Sequence, residues 1–175
     1  MRRLEDFSMR LFMIRHGEAE DKSHAQEDSE RALTAHGKEE TRAVARQLVK
    51  YGVTCERIVA SPLVRAHQTA IILRDAGLSG ILEESSNLAP SGHLETLLEN
   101  LKEWRKNRDT DLPSNLAWVG HEPDLSSIAE MLIWGKSPGK LNLKKAGIIG
   151  LKLPESGNFQ GNCELFLMTS PKYFI

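Results

Sequence analysis

Short apolar runs alternate along the chain with longer segments whose apolar residues recur at helical spacing. Leu11-Phe-Met-Ile14 is a continuous apolar run, which predicts a strand buried on both faces. The polar stretch from Glu18 to Arg31 follows as a loop, long for a compact domain, and such loops often carry function. Thr34 is placed to cap a helix running to about Tyr51, with Gly52 as its stop. Arg57-Ile-Val-Ala60 predicts the second strand, and a helix from about Pro62 to Ala76 ends at Gly77. Ile81-Leu82 marks a short third strand. Leu94, Leu97, Leu98, Leu101 and Trp104 then line one face of an amphipathic helix. Beyond a polar link over 107–114, Leu116-Ala-Trp-Val119 predicts a further buried strand. Leu125, Ile128, Ala129, Leu132 and Ile133 mark the next helix. Two strands near Ala146–Leu153 and Cys163–Thr169 are close enough in sequence to pair as an antiparallel hairpin.

Strands alternating with helices imply an α/β fold. The expected architecture is a three-layer sandwich, a mostly parallel sheet flanked by helices, with a C-terminal antiparallel hairpin. No repeat or linker divides the 175 residues, so one domain over 1–175 is expected. Residues 1–8 read as a short extension before the first strand, or translation begins at Met9.

Composition narrows the function. Lys plus Arg number 23 and Asp plus Glu 24, a formal charge of -1. That balance offers no broad field for nucleic acid or an anionic membrane, so an anion site must be built locally from converging side chains. Cys55 and Cys163 lie far apart and outside any CxxC pattern, which provides neither a disulfide framework nor a zinc site and fits a reducing cytoplasm. No apolar run approaches the roughly 18 residues of a membrane span. The first eight residues lack the apolar core of a secretory signal.

In mainly parallel sheets, ligands sit outside the carboxyl ends of strands. Three such exits carry unusual residues. The first reads Arg15-His16-Gly17-Glu18: a cation and an imidazole at the end of a buried strand, then a glycine that permits a close approach or a sharp turn. An imidazole there can attack phosphorus with one nitrogen while the other is tied by a hydrogen bond. The second exit contains Ser61-Pro62 and Arg65. Ser61 as N-cap and Pro62 at the first helical position would put Arg65 in the first turn, where backbone N–H groups favour an anion. Its guanidinium can make paired hydrogen bonds to phosphate oxygens. The third exit reads Gly120-His121-Glu122-Pro123-Asp124, in which His121 can donate to a phosphate oxygen and, if protonated, offset developing charge.

Taken together, Leu11–Ala19, Leu33-Thr-Ala-His-Gly37, Val59–Ala70, Val119–Asp124 and Leu143-Lys-Lys-Ala-Gly147 resemble the histidine phosphatase superfamily, the phosphoglycerate mutase-like fold. The likeness is to its short SixA-type phosphohistidine phosphatase branch, and it spans nearly the whole chain. The resemblance implies that His16 is the nucleophile that becomes phosphorylated. It also implies that Arg15, Arg65 and His121 clamp the phosphoryl oxygens beside Gly17, and that no metal or other cofactor is needed.

Phosphoryl transfer asks mainly for positioning and charge neutralisation, which two arginines and a second histidine supply. The same cations disfavour protonation of His16. A general acid is harder to place. Glu18, Glu20 and Asp21 on the long loop are candidates, as are Glu83, Glu84 and Glu95, and the sequence does not choose among them. A phosphohistidine substrate has a labile P–N bond whose nitrogen solvent can protonate, so it depends less on such an acid than an alkyl ester does.

Larger members of the family that the chain resembles, such as the mutases, carry a glutamate on a segment inserted after the second strand–helix unit, and here the connection from Ala70 to the next helix is short. An uncovered pocket admits a phosphorylated side chain on another protein, such as a histidine-containing phosphotransfer domain. The expected partner is therefore a phosphoprotein, with a small phosphate ester as the alternative, and the enzyme is expected to work as a cytoplasmic monomer. A non-catalytic phosphate-binding or scaffold domain is the rival of another class; it has no need of a nucleophile. His24, His36, His67 and His93 read as surface residues, and Trp104, Trp118 and Trp134 as core or partly buried packing. The lysines between Lys136 and Lys145 read as a solvated loop.

Overall fold

The computed structural model describes residues 9–22, 27–108 and 114–175. Six strands, β1 (Arg10–Arg15), β2 (Arg57–Ala60), β3 (Leu82–Glu84), β4 (Asn115–Gly120), β5 (Ile148–Lys152) and β6 (Glu164–Thr169), form one sheet in the order β3-β2-β4-β1-β5-β6. The four strands from β3 to β1 run parallel; β5 lies antiparallel beside β1, and β6 antiparallel beside β5. The sheet is thus mixed, and the expected C-terminal hairpin extends it.

The alternation of side chains along β1 divides the core into two layers. Leu11 and Met13 face α3 (Leu94–Asn107) and α4 (Asp124–Trp134), packing with Leu97, Leu101, Trp118 and Leu132. Phe12 and Ile14 face α1 (Ala35–Lys50) and α2 (Val64–Asp75), packing with Val44, Leu48, Ala66 and Leu73. Helices on both faces of one sheet make the three-layer sandwich. Each fully buried large apolar side chain here contributes about 1.5–3 kcal/mol.

The helix boundaries follow local chemistry. Thr34 caps α1 by accepting the Gly37 N–H at 2.9 Å. Gly37 is required for another reason: a Cβ there would lie 2.1 Å from the Glu18 carbonyl oxygen. The start of α2 differs from the expectation at Ser61-Pro62. The helix begins at Val64, with Leu63 at the N-cap position and no side-chain cap. Ser61 Oγ instead accepts the Leu63 N–H at 3.3 Å and meets His121 Nε2 at 2.7 Å, so the serine makes a local turn. Two single turns of 3₁₀ helix, Asp28–Glu30 and Ser86–Leu88, and a terminal turn α5 (Pro171–Phe174) have no apolar period that could announce them.

Trp118 is buried and Trp104 half-buried, its indole N–H donating to Glu56 at 2.8 Å, but Trp134 is exposed at the end of α4. His36 and His93 are exposed, half-buried His67 lies 2.8 Å from Glu84, and His24 falls outside the described residues. Among the described residues no helix is long and apolar enough to cross a membrane.

Candidate active site

The strands whose exits drew attention are neighbours in the sheet: β2, β4 and β1 lie side by side and parallel. Register aligns Ala60 with Val119, and Arg15 with Gly120, so the three loops leave one edge together. Backbone bonds bind the exits: His16 N–H donates to Gly120 (3.1 Å), Ser61 N–H to Val119 (2.9 Å) and Ala146 N–H to His16 (3.1 Å). A cavity of about 340 Å³ opens over this edge, lined by Arg15, His16, Arg65 and His121 among others. All four side chains converge.

His16 Nδ1 lies 2.7 Å from the Gly17 carbonyl and so carries the ring proton. That leaves a lone pair on Nε2, which faces the Arg65 Nε–H at 3.3 Å. Burial foremost, with the charges of Arg65, Arg15 and Arg31 added, pushes the His16 pKa down to about 4 despite the Gly17 bond. The cations thus act as the sequence suggests, but desolvation leads. His121 stacks obliquely on His16, with ring centroids 5.1 Å apart. Burial, then His16 and Arg65, pushes its pKa down to about 3, with Arg15 adding to the fall and Asp28 opposing it. It is neutral in the open site and acts through hydrogen bonds rather than charge.

Arg65 is almost wholly buried, and three of its five N–H donors make hydrogen bonds. Nη1 donates to the Asp28 carbonyl (2.7 Å) and Nη2 to the Asp28 carboxylate (3.0 Å). Arg15 Nη1 donates to the Leu143 carbonyl at 2.8 Å, while its Nε and His121 Nδ1 are buried with no partner among the described residues. Two such nitrogens on residues that line the cavity are what a phosphate would satisfy.

The remaining expectations separate. Gly17 does not line the cavity; a Cβ on it would meet Thr41 Oγ1 at 2.4 Å, so its role is close packing against α1. Glu18 accepts the Thr34 hydroxyl at 3.0 Å and serves the start of α1. Glu20 is exposed and off the cavity, whereas Asp21 lines it. Glu83 pairs with Arg57 at 2.9 Å and Glu84 with His67, on the β3 edge, and Glu95 is exposed on α3. Asp28 is the residue that sequence reasoning overlooks. It bridges Arg65 and Arg31, and although burial raises its pKa, the two guanidiniums outweigh that and hold the carboxyl below its ordinary value. A signal existed: a buried arginine needs an acceptor, and the long loop held the nearest ones. Among the described residues, no group of three or more His, Cys, Asp or Glu side chains is placed to hold a metal ion.

Residues 11–121, which hold the parallel strands and the two histidines and two arginines at their carboxyl ends, match the family model "Histidine phosphatase superfamily (branch 1)". The chain belongs to that superfamily, whose membership supports phosphatase activity. Among its relatives, an uncharacterized protein of Picosynechococcus sp. is 42% identical over 169 residues, covering 95% of this chain and 99% of that protein. Phosphohistidine phosphatase SixA of Escherichia coli K12 is 28% identical over 158 residues, 90% of this chain and 93% of SixA. A solved structure of the protein histidine phosphatase SixA complexed with tungstate superposes with a TM-score of 0.81 at 27% identity, covering 94% of this chain and 99% of that one. The probable phosphoglycerate mutase GpmB of Enterobacter sp. is 34% identical over 71% of this chain, which spans only 59% of the mutase.

Proposed function

We propose that the protein removes a phosphoryl group through a phospho-His16 intermediate, and that its substrate is a phosphohistidine on another protein. The observation that carries this reading is the His16 Nε2 lone pair, unprotonated and facing the Arg65 Nε–H at 3.3 Å inside a cation-lined cavity.

His16 Nε2 attacks phosphorus, forming a P–N bond as the bond to the substrate nitrogen breaks. The leaving imidazole takes a proton from solvent. Water then attacks phospho-His16, releasing inorganic phosphate and restoring the imidazole. Arg15, Arg65 and His121 hold the equatorial oxygens. To donate to a phosphoryl oxygen, His121 carries its proton on Nδ1, the buried atom with no partner among the described residues, and Nε2 then accepts from the Ser61 hydroxyl. A phosphoryl oxygen supplies the acceptor. Asp28 engages one N–H on each terminal nitrogen of Arg65, so substrate and the Asp28 carboxylate meet at one guanidinium.

Asp28 is ionised in the open site and so is not a ready proton donor. Asp21 lines the cavity and has no hydrogen bond or ion pair to His16, Arg65 or His121 among the described residues. This scarcity of a poised acid favours a labile P–N substrate over an alkyl ester. The coverage of the relatives points the same way: the match to SixA takes in 90% of this chain and 93% of SixA, whereas the match to the mutase takes in 71% of this chain and 59% of the mutase. The deciding experiment compares kcat/KM for a histidine-phosphorylated phosphotransfer domain with a panel of sugar, nucleotide and cofactor phosphates. The phosphoprotein is expected to be the better substrate; a faster ester would replace it with the small-molecule reading.

A further inference from the structure

Between α4 and β5 runs a loop, residues 135–147, with four lysines: Lys136, Lys140, Lys144 and Lys145. All four are exposed, and none has a carboxylate within ion-pair distance among the described residues. On a chain of net charge -1 this is a local excess of positive charge. It sits beside the catalytic cavity, whose wall includes Lys145.

The loop is built rather than loose. Glu130, fully buried on α4, accepts from Ser137 Oγ (2.9 Å), Gly139 N (2.7 Å), Leu141 N (2.6 Å) and Lys140 N. Burial raises the Glu130 pKa, and these bonds, led by Leu141, outweigh it and hold the carboxyl below its ordinary value. Glu122 accepts from Ser126 and from Leu143 N, and Arg15 donates to the Leu143 carbonyl. The acids beneath the loop are therefore turned inward and consumed, while the lysines stand outward. A second depression of about 460 Å³, lined by Glu122, Ser126, Glu130, Gly139 and Leu141, shares Arg15 and Glu122 with the catalytic cavity. The second depression thus leads from the catalytic wall to Gly139 and Leu141, which flank Lys140 in the chain.

We infer that Lys136, Lys140 and Lys144 form a docking strip for acidic residues flanking the phosphohistidine of a protein substrate. The inference rests on the phosphoprotein reading above. Charge complementarity selects the occupant: exposed, unpaired lysines on a fixed backbone gain from carboxylates without having to break existing pairs. Such a strip acts on encounter and binding, not on the chemical step.

The test uses two synthetic phosphohistidine peptides of equal length, one flanked by Asp and Glu and the other by Ser and Gln. It adds p-nitrophenyl phosphate, and a small phosphate ester bearing a carboxylate. At about 50 mM salt the wild-type KM for the acidic peptide is expected to be roughly tenfold below that of the neutral one, with equal kcat, and the gap is expected to close at about 0.5 M salt. The K136Q/K140Q/K144Q variant is expected to lose the preference while hydrolysing p-nitrophenyl phosphate as before. Equal KM values in the wild type, or a preference that survives in the variant, would overturn the inference. A matching loss on the carboxylate-bearing ester would also overturn it, because the lysines would then read a small anion. Turnover of esters with neither peptide hydrolysed would instead sink the phosphohistidine reading, and the docking strip with it.

Discussion

For His16, burial and the surrounding cations act in the same direction, and both favour the unprotonated nitrogen that a nucleophile must offer. The Gly17 carbonyl fixes the one ring proton on Nδ1, and desolvation keeps a second proton off Nε2. The His16 pKa of about 4 sets a direct expectation for activity. In the free enzyme, kcat/KM corrected for the substrate's own phosphate ionisation at about pH 6 should hold level from neutrality and fall on an acid limb near pH 4; a remaining limb near the ordinary histidine value of about 6.5 would contradict this environment. Ser61 tests the tautomer of its neighbour. Ser61→Ala removes the 2.7 Å partner of His121 Nε2, and kcat is expected to drop on the order of tenfold with KM little changed. Arg65→Ala is expected to cost about a hundredfold or more in kcat/KM, and Arg65→Lys to recover little of it, since a lysine cannot reproduce the guanidinium fork.

At the scale of elements, the site depends on loops that strands launch and helices clamp. The first turn of α1 lies against the Glu18 backbone, where Gly37 leaves no room for a Cβ. Gly37→Ala is therefore expected to destabilise the fold by about 1–3 kcal/mol, read as a lower midpoint in urea, and to reduce activity by shifting the loop after β1. Much of this layer was legible: five strands appeared as apolar runs and the short β3 as the pair Ile81-Leu82, α3 and α4 as apolar stripes, and α1 through its Thr34 cap and Gly52 stop. The exits followed, because Arg15-His16, Arg65 and Gly120-His121 break those runs abruptly. What escaped were features without a period. The 3₁₀ turn holding Asp28 looks like any polar loop, and Ser61-Pro62 carries a helix-start signal that the histidine across the site diverts. The lysines of 135–147 looked merely solvated, since the buried Glu130 that fixes their loop sits in an unremarkable apolar helix pattern.

Across the whole molecule, two buried neutral histidines link stability to pH. Both folded-state pKa values, about 4 for His16 and about 3 for His121, lie below the unfolded value near 6.5. The unfolded chain therefore binds more protons as pH falls through that interval, so the contribution is present above about pH 6.5 and is lost on the way down to pH 3–4. Chemical denaturation at pH 7 and pH 5 should show lower stability at pH 5, and His16→Ala should flatten that difference in part. An unchanged difference in the variant would count against the assigned burial of His16. The sheet order explains why one molecule-wide feature, parallel β2, β4 and β1 side by side, suffices to gather chemistry from residues more than a hundred positions apart.

The most direct measurement is rapid-quench trapping with a ³²P-labelled substrate, followed by mapping of the label. A transient phosphoryl group, labile to acid and stable to base, is predicted on the peptide containing His16 and attached to Nε2. Turnover at full rate with no label on the protein, or with label on another side chain, would contradict the account.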